Sequence, residues 1–217
     1  MGVIGDNLPA YLEGFRMTLE LTAWSAVLSL AWGVVLAALR VAPLRPLRAF
    51  SAVYTEVLRN TPLTLVFFFM YFVFPQFSIL PPVPFFWAAV VCLTLYTSAF
   101  VAEAVRSGIN AVGVGQAEAA RAVGLTFGQS LQAVILPQAV RSVVPPLINV
   151  VIALVKNTSI AAGFAVVELA ATGRRLSTAN PADQAWVLVG VALFYLLLTV
   201  PAGALASAVE RKVAFGR

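Results

Sequence analysis

Residues 60–102 read NTPLTLVFFFMYFVFPQFSILPPVPFFWAAVVCLTLYTSAFVA, 43 residues without one Asp, Glu, Lys or Arg. About 20 apolar residues suffice to cross the hydrocarbon core of a bilayer, so this run is twice the length of one span. Pro75, Pro81, Pro82 and Pro84 cluster in its middle. Proline removes a backbone donor and ends helices. The stretch therefore reads as a hairpin of two spans, over residues 56–75 and 85–106. Working outward, Leu21–Leu39 is also free of charge and places a span at 17–40. Two further apolar blocks place spans at 142–165, with Lys156 inside it, and at 185–209. The expectation is an all-α polytopic membrane protein of five transmembrane helices in one domain, residues 1–217. A transmembrane barrel is disfavoured, because the blocks are continuously apolar rather than alternating. The first block starts too late, behind Asp6 and Glu13, and lacks the basic flank of a signal peptide. It reads as a retained helix, with no soluble domain at either end.

Composition excludes most chemistry. Hydrophobic residues make up 61% of the chain and charged residues 11%, against about 25% charged in soluble domains. Disorder is excluded as well, since it requires low hydrophobicity. There is no His, and Cys92 is the single cysteine. The acidic residues are scattered, so neither a metal site nor a catalytic dyad is expected. The net charge of +5 sits between apolar blocks, which suits membrane orientation and not nucleic-acid binding. Arg40, Arg45, Arg48 and Arg59 lie between the first two spans. Arg106, Arg121 and Arg141 lie between the third and fourth, and Arg211, Lys212 and Arg217 follow the fifth. The opposite loops hold Arg16, Arg174 and Arg175 diluted by Asp6, Glu13, Glu20, Glu168 and Asp183. By the positive-inside rule the N-terminus is expected outside and the C-terminus in the cytoplasm.

The longest loop on the basic side runs from Ser107 to Arg141. Within it, Gln116–Val123 is Ala-rich and helix-forming, between Gly115 and Gly124. Glu118 and Arg121 stand three apart and are placed to pair. Gly124 suits a left-handed helix end. On physical grounds this is either a plain surface helix or a docking element whose small residues Ala117, Ala119 and Ala120 admit close approach.

Glu118-Ala119-Ala120, then Gly124, then Ile135-Leu136-Pro137 resembles the EAA loop of ABC importer permeases. Three residues separate Ala120 from Gly124, and ten separate Gly124 from Ile135. With Arg59-Asn60-Thr61-Pro62, Leu95-Tyr96-Thr97-Ser98, Arg106-Ser107-Gly108-Ile109-Asn110 and Lys156-Asn157-Thr158-Ser159, the chain resembles the polar amino-acid branch, and within it the permease subunits of glutamate-uptake systems. The resemblance covers nearly the whole chain. It implies the type I ABC importer permease fold, and a coupling helix at about 116–124 that presents Glu118, Ala119, Ala120, Arg121 and Gly124 to an ATPase. It also implies a pair of ATPase subunits holding ATP and Mg, a second permease subunit, usually a different chain, and an extracytoplasmic solute-binding protein in a bacterial inner membrane. No cofactor is expected in this chain, which lacks a G-x-x-x-x-G-K-[ST] phosphate loop.

Lys156 lies deep in the fourth span. A charge at the bilayer centre costs roughly 2.5–3.5 kcal/mol on insertion scales, so it is expected to face a cavity or a helix contact. Asn157, Thr158 and Ser159 extend the polar run around the helix. Pro145, Pro146 and Gly163 weaken that helix, and breaks at membrane depth are tolerated only beside protein or a cavity. Arg59, Asn60 and Thr61 read either as a helix cap, with Pro62 in the first turn, or as part of the substrate path. Thr97 and Ser98 read as interhelical contacts or path residues. Glu103 and Arg106, three apart, read as an anchor or a gate contact. The aromatic run Phe67–Phe74 reads as packing surface. The resemblance implies Asp at the position of Asn157 in many relatives, particularly those that handle cationic amino acids. The local field here is therefore positive, which points to an acidic or neutral cargo: glutamate first, glutamine or another polar amino acid as the alternative. A non-transporting membrane scaffold is disfavoured by the cost of the polar run.

Overall fold

The computed structural model describes residues 2–79, 81 and 83–214. Pro82 of the hairpin break, Arg217 and the side chain of Lys212 lie outside the described residues. Helices account for nearly all of them: α1 (Gly2–Asp6), α2 (Leu8–Arg40), α3 (Arg45–Asn60), α4 (Leu63–Gln76), α5 (Phe85–Asn110), α6 (Val114–Ala122), α7 (Phe127–Gly163), α8 (Leu169–Ala179) and α9 (Gln184–Ala214). Among the described residues four are long and apolar enough to cross a membrane, or five if the bent pair α3 and α4 counts as one span. The loop expected between residues 107 and 141 is mostly helix, since α5 and α7 extend into it.

The second expected span, 56–75, is not one helix. The axis turns by 106° between α3 and α4. Pro62 is the cause: it forces Thr61 into an extended conformation, φ −99° and ψ 131°. Nor do Asn60 and Thr61 cap the following helix. The Asn60 amide donates to the Glu56 carbonyl at 2.8 Å, and the Thr61 hydroxyl to the Val57 carbonyl at 2.7 Å. Both close α3, while the Pro62 carbonyl accepts from the Leu65 N–H to start α4.

The fourth expected span begins earlier, at Phe127, and Pro145 and Pro146 lie inside an uninterrupted helix. The break comes later. After Lys156-Asn157 the chain tightens to a 3-10 turn over Thr158–Gly163, and Ala165 adopts φ +60°, a left-handed conformation costing roughly 1–2 kcal/mol. Glu168, expected in a solvated loop, is fully buried beyond this break. Its Oε1 accepts from the Ala171 N–H at 2.9 Å, capping α8, and its Oε2 accepts from the Tyr195 hydroxyl of α9 at 2.7 Å. Thr18 of α2 lies 3.5 Å from Oε2 and accepts from the Leu169 N–H at 3.2 Å.

With lipid outside, packing rests on close approach of small residues. α2 buries Gly14, Thr18, Leu21, Ser25, Ser29, Gly33 and Leu36 along one stripe. A Cβ on Gly33 would meet the Val101 side chain at 2.4 Å and the Ser98 carbonyl at 2.9 Å. Gly108 abuts Val143, and Gly173 abuts Val191, in the same manner. Gly33→Val is expected to destabilise the fold by about 1–3 kcal/mol through overpacking. Ala31→Val, on the exposed face of the same helix, is the control. Thermal denaturation of the two purified proteins in detergent checks this, and equal melting temperatures would contradict it.

Candidate translocation cleft and coupling helix

α5 and α7 run side by side and leave an open cleft of about 400 Å³ between them. This is within the size range of small-molecule sites. Tyr96, Thr97 and Phe100 line it from α5, and Asn149, Val150, Ala153 and Asn157 from α7. Two of the expected path residues, Thr97 and Asn157, therefore share one wall-to-wall space. The Thr97 hydroxyl is buried without a hydrogen-bond partner among the described residues. An orphaned buried donor costs roughly 1–3 kcal/mol. Sequence reasoning missed Tyr96, Phe100 and Asn149. Helical spacing would have found them, since Phe100 lies one turn from Thr97, and Asn149 two turns from Asn157.

The remaining expected path residues stand elsewhere. Lys156 is exposed on a neighbouring face of α7 and is not among the residues lining the cleft. Thr158 is buried and donates to the Val155 carbonyl at 2.7 Å, and Ser159 donates to the Lys156 carbonyl at 2.7 Å. Both serve the 3-10 turn. Ser98 is buried and lies 3.0 Å from the Tyr54 hydroxyl, which donates to the Leu95 carbonyl at 2.9 Å. Asn60 and Thr61 are engaged with α3, as above.

At the end of the cleft nearer α6, Glu103 gathers cations. Arg106 holds both its carboxylate oxygens, with Nε at 3.1 Å and Nη2 at 2.5 Å. Arg59 Nη1 lies 3.6 Å from Oε2. The Arg59 guanidinium also sits 6.0 Å from the centre of the Phe100 ring. The aromatic run of α4 packs on the chain break: Phe67, Phe68, Tyr71 and Phe72 surround Phe164, with ring centres 5.0–6.1 Å away.

α6 packs against the first turns of α7, where Gln138 Nε2 donates to Gln116 Oε1 at 3.4 Å. The Gly124 N–H donates to the Arg121 carbonyl at 3.0 Å and the Leu125 N–H to the Ala120 carbonyl at 3.1 Å. With Gly124 at φ +88°, this is a Schellman closure of the helix. Glu118 and Arg121 do not form the expected ion pair. Arg121 Nε instead donates to the Ala117 carbonyl at 3.3 Å, since an exposed pair gains little against water. Ala120 is the helix's one buried residue, while Glu118, Ala119 and Arg121 are exposed. Val123 and Phe127 beside it are 77% and 78% exposed. They give the capped helix an exposed apolar rim.

Comparison with known proteins agrees with this architecture. Residues 29–215 match the family described as binding-protein-dependent transport system inner membrane component. The chain is 42% identical to the glutamate transport system permease protein GluC of Corynebacterium efficiens, covering 91% of each chain. It is 40% identical to the probable glutamine ABC transporter permease protein GlnM of Bacillus subtilis, over 93% of this chain and 92% of that one. It is 36% identical to the arginine transport system permease protein ArtQ of the same organism, over 95% and 94%. The crystal structure of an amino acid ABC transporter with histidines superposes with a TM-score of 0.88 at 30% identity, over 96% of each chain. The cleft, the capped helix and these matches together make this chain a member of the family of inner-membrane components of binding-protein-dependent transport systems.

Proposed function

We propose that this chain is the permease subunit through which an ABC importer moves a polar amino acid, glutamate first, into the cytoplasm. The observation that carries it is the α5–α7 cleft, where Thr97, Asn149 and Asn157 supply polar groups and no carboxylate is among the lining residues. Such a wall favours an acidic or neutral side chain over a cationic one. A second reading, glutamine, is favoured by the paired amide groups of Asn149 and Asn157, which are suited to an amide side chain. The names of the relatives divide among glutamate, glutamine and arginine, and the neutral lining of the cleft supports the first two over the third.

The chain would pair with a second permease subunit across its exposed apolar faces. A solute-binding protein would deliver cargo from outside, where the N-terminus lies. Two ATPase subunits, which hold ATP and Mg, would seat α6 from the cytoplasm. In that assembly ATP binding closes the ATPase pair and α6 is displaced as a rigid body. The helices packed beside it then reorient around the cleft, giving alternating access. This chain contributes no covalent chemistry. Arg59, Asn60, Thr61, Thr97, Ser98 and the Lys156–Ser159 segment would form the path and its supports. Thr97 and Asn157 would touch cargo.

A Glu118→Cys variant on a Cys92→Ala background is expected to react with a membrane-impermeant thiol reagent only after cells are opened, and to be protected by bound ATPase subunit. Glu118→Lys should insert normally yet lose most coupling of ATP hydrolysis to uptake. Labelling of intact cells would refute the orientation, and full uptake by Glu118→Lys would refute the docking. Asn157→Asp places a carboxylate in the cleft. Glutamate uptake into vesicles reconstituted with the binding protein should fall about tenfold or more, since about 1.4 kcal/mol is a factor of ten. Unchanged uptake would remove Asn157 from the path.

A further inference from the structure

Glu103 stands among more cations than it satisfies. Arg106 grips its carboxylate with two hydrogen bonds, so Arg59 makes only a single loose contact at 3.6 Å. Arg40 of α2 lines the same small cavity, with Ser51 and Thr55, and its Nη1 is buried without a hydrogen-bond partner among the described residues. Three guanidinium groups from α2, α3 and α5 thus surround one carboxylate, leaving an excess of positive charge.

Of the three, Arg59 is the one that also rests against a residue of the cleft wall. Phe100, on which the Arg59 guanidinium rests, lines the cleft together with Thr97, Asn149 and Asn157. A guanidinium fork matches a carboxylate edge to edge with two hydrogen bonds. The partly exposed contact that it makes with Glu103 is weak and cheaply exchanged. We propose that Arg59 takes the α-carboxylate of the transported amino acid at the α6 end of the cleft, and that Glu103 holds its place while the cleft is empty. The exchange is non-covalent: one carboxylate replaces another on Arg59, and Arg106 keeps Glu103 neutralised. It rests on the amino-acid reading above but is indifferent to the cargo's side chain, because every amino acid carries this group. Arg59 would read the common end of the cargo, and Asn157 the variable end.

The assembled, nucleotide-free complex of the permease pair and ATPase in nanodiscs tests this by equilibrium binding of glutamate and glutamine against their α-amides. The wild type should prefer the free acids by about tenfold or more, and Arg59→Gln should lose that preference for both cargoes. Arg59→Lys, which keeps the charge without the fork, should retain part of it. Glu103→Gln should act in the opposite direction, binding the acids several-fold more tightly and lowering KM and kcat together, because release is slowed. A residue that only holds the fold would weaken binding in every variant. An intact preference in Arg59→Gln or Arg59→Lys at the wild-type level, or weaker binding in Glu103→Gln, would overturn the proposal alone. A wild-type complex that binds neither glutamate nor glutamine would overturn the amino-acid reading and this proposal with it.

Discussion

The carboxylate of Glu168 is the point on which three helices converge. A chain that breaks inside a bilayer exposes backbone groups that lipid cannot satisfy, so a break survives only where protein supplies the partners. Glu168 supplies them. It caps α8 through the Ala171 N–H, binds the Tyr195 hydroxyl of α9, and meets Thr18 of α2, which in turn takes the Leu169 N–H. No cation pairs with it among the described residues. The group is held by hydrogen bonds and the positive end of the α8 dipole. These contacts fix where α8 starts and tie that start to α2 and α9.

The second constraint is distance of approach. Gly33 against Val101, Gly108 against Val143 and Gly14 against Thr172 bring α2, α7 and α8 to backbone range of their neighbours. α5 is therefore clamped on two sides, by α2 and by α7. Thr97 is held at the cleft wall because α5 cannot rotate without driving Val101 into α2. Packing thus sets the register of the polar groups that line the cleft.

Much of this was legible in the sequence, and the failures share a cause. Uncharged length located the apolar crossings, because burying backbone and apolar side chains in lipid is a property of the segment alone. The glycine-ended helix, expected at 116–123 and found at Val114–Ala122, was legible for the same reason, since Gly124 specifies a left-handed closure locally. The 106° turn at Thr61-Pro62 was missed because hydropathy is blind to direction, although the Pro62 restriction on Thr61 carries the signal. Glu168 was counted as a loop charge because its donors come from Thr18 and Tyr195, 150 and 27 residues away. Lys156 was weighted above Asn157 because a charge dominates a sequence reading. The structure puts the amide, not the ammonium, on the cleft wall. Pro145 and Pro146 lie within α7 without ending it, since a long helix packed on α5 and α9 tolerates two missing donors.

The account turns on whether cargo passes between α5 and α7. Photo-crosslinking of a diazirine-bearing amino acid to the assembled transporter, followed by peptide mass spectrometry, addresses this directly. The adducts are predicted on the α5 peptide containing Tyr96–Phe100 and on the α7 peptide containing Asn149–Asn157, and competition with free amino acid should remove them. Competable adducts confined to the outer groove between α2 and α8, at Glu13 and Arg175, with none on α5 or α7, would contradict it.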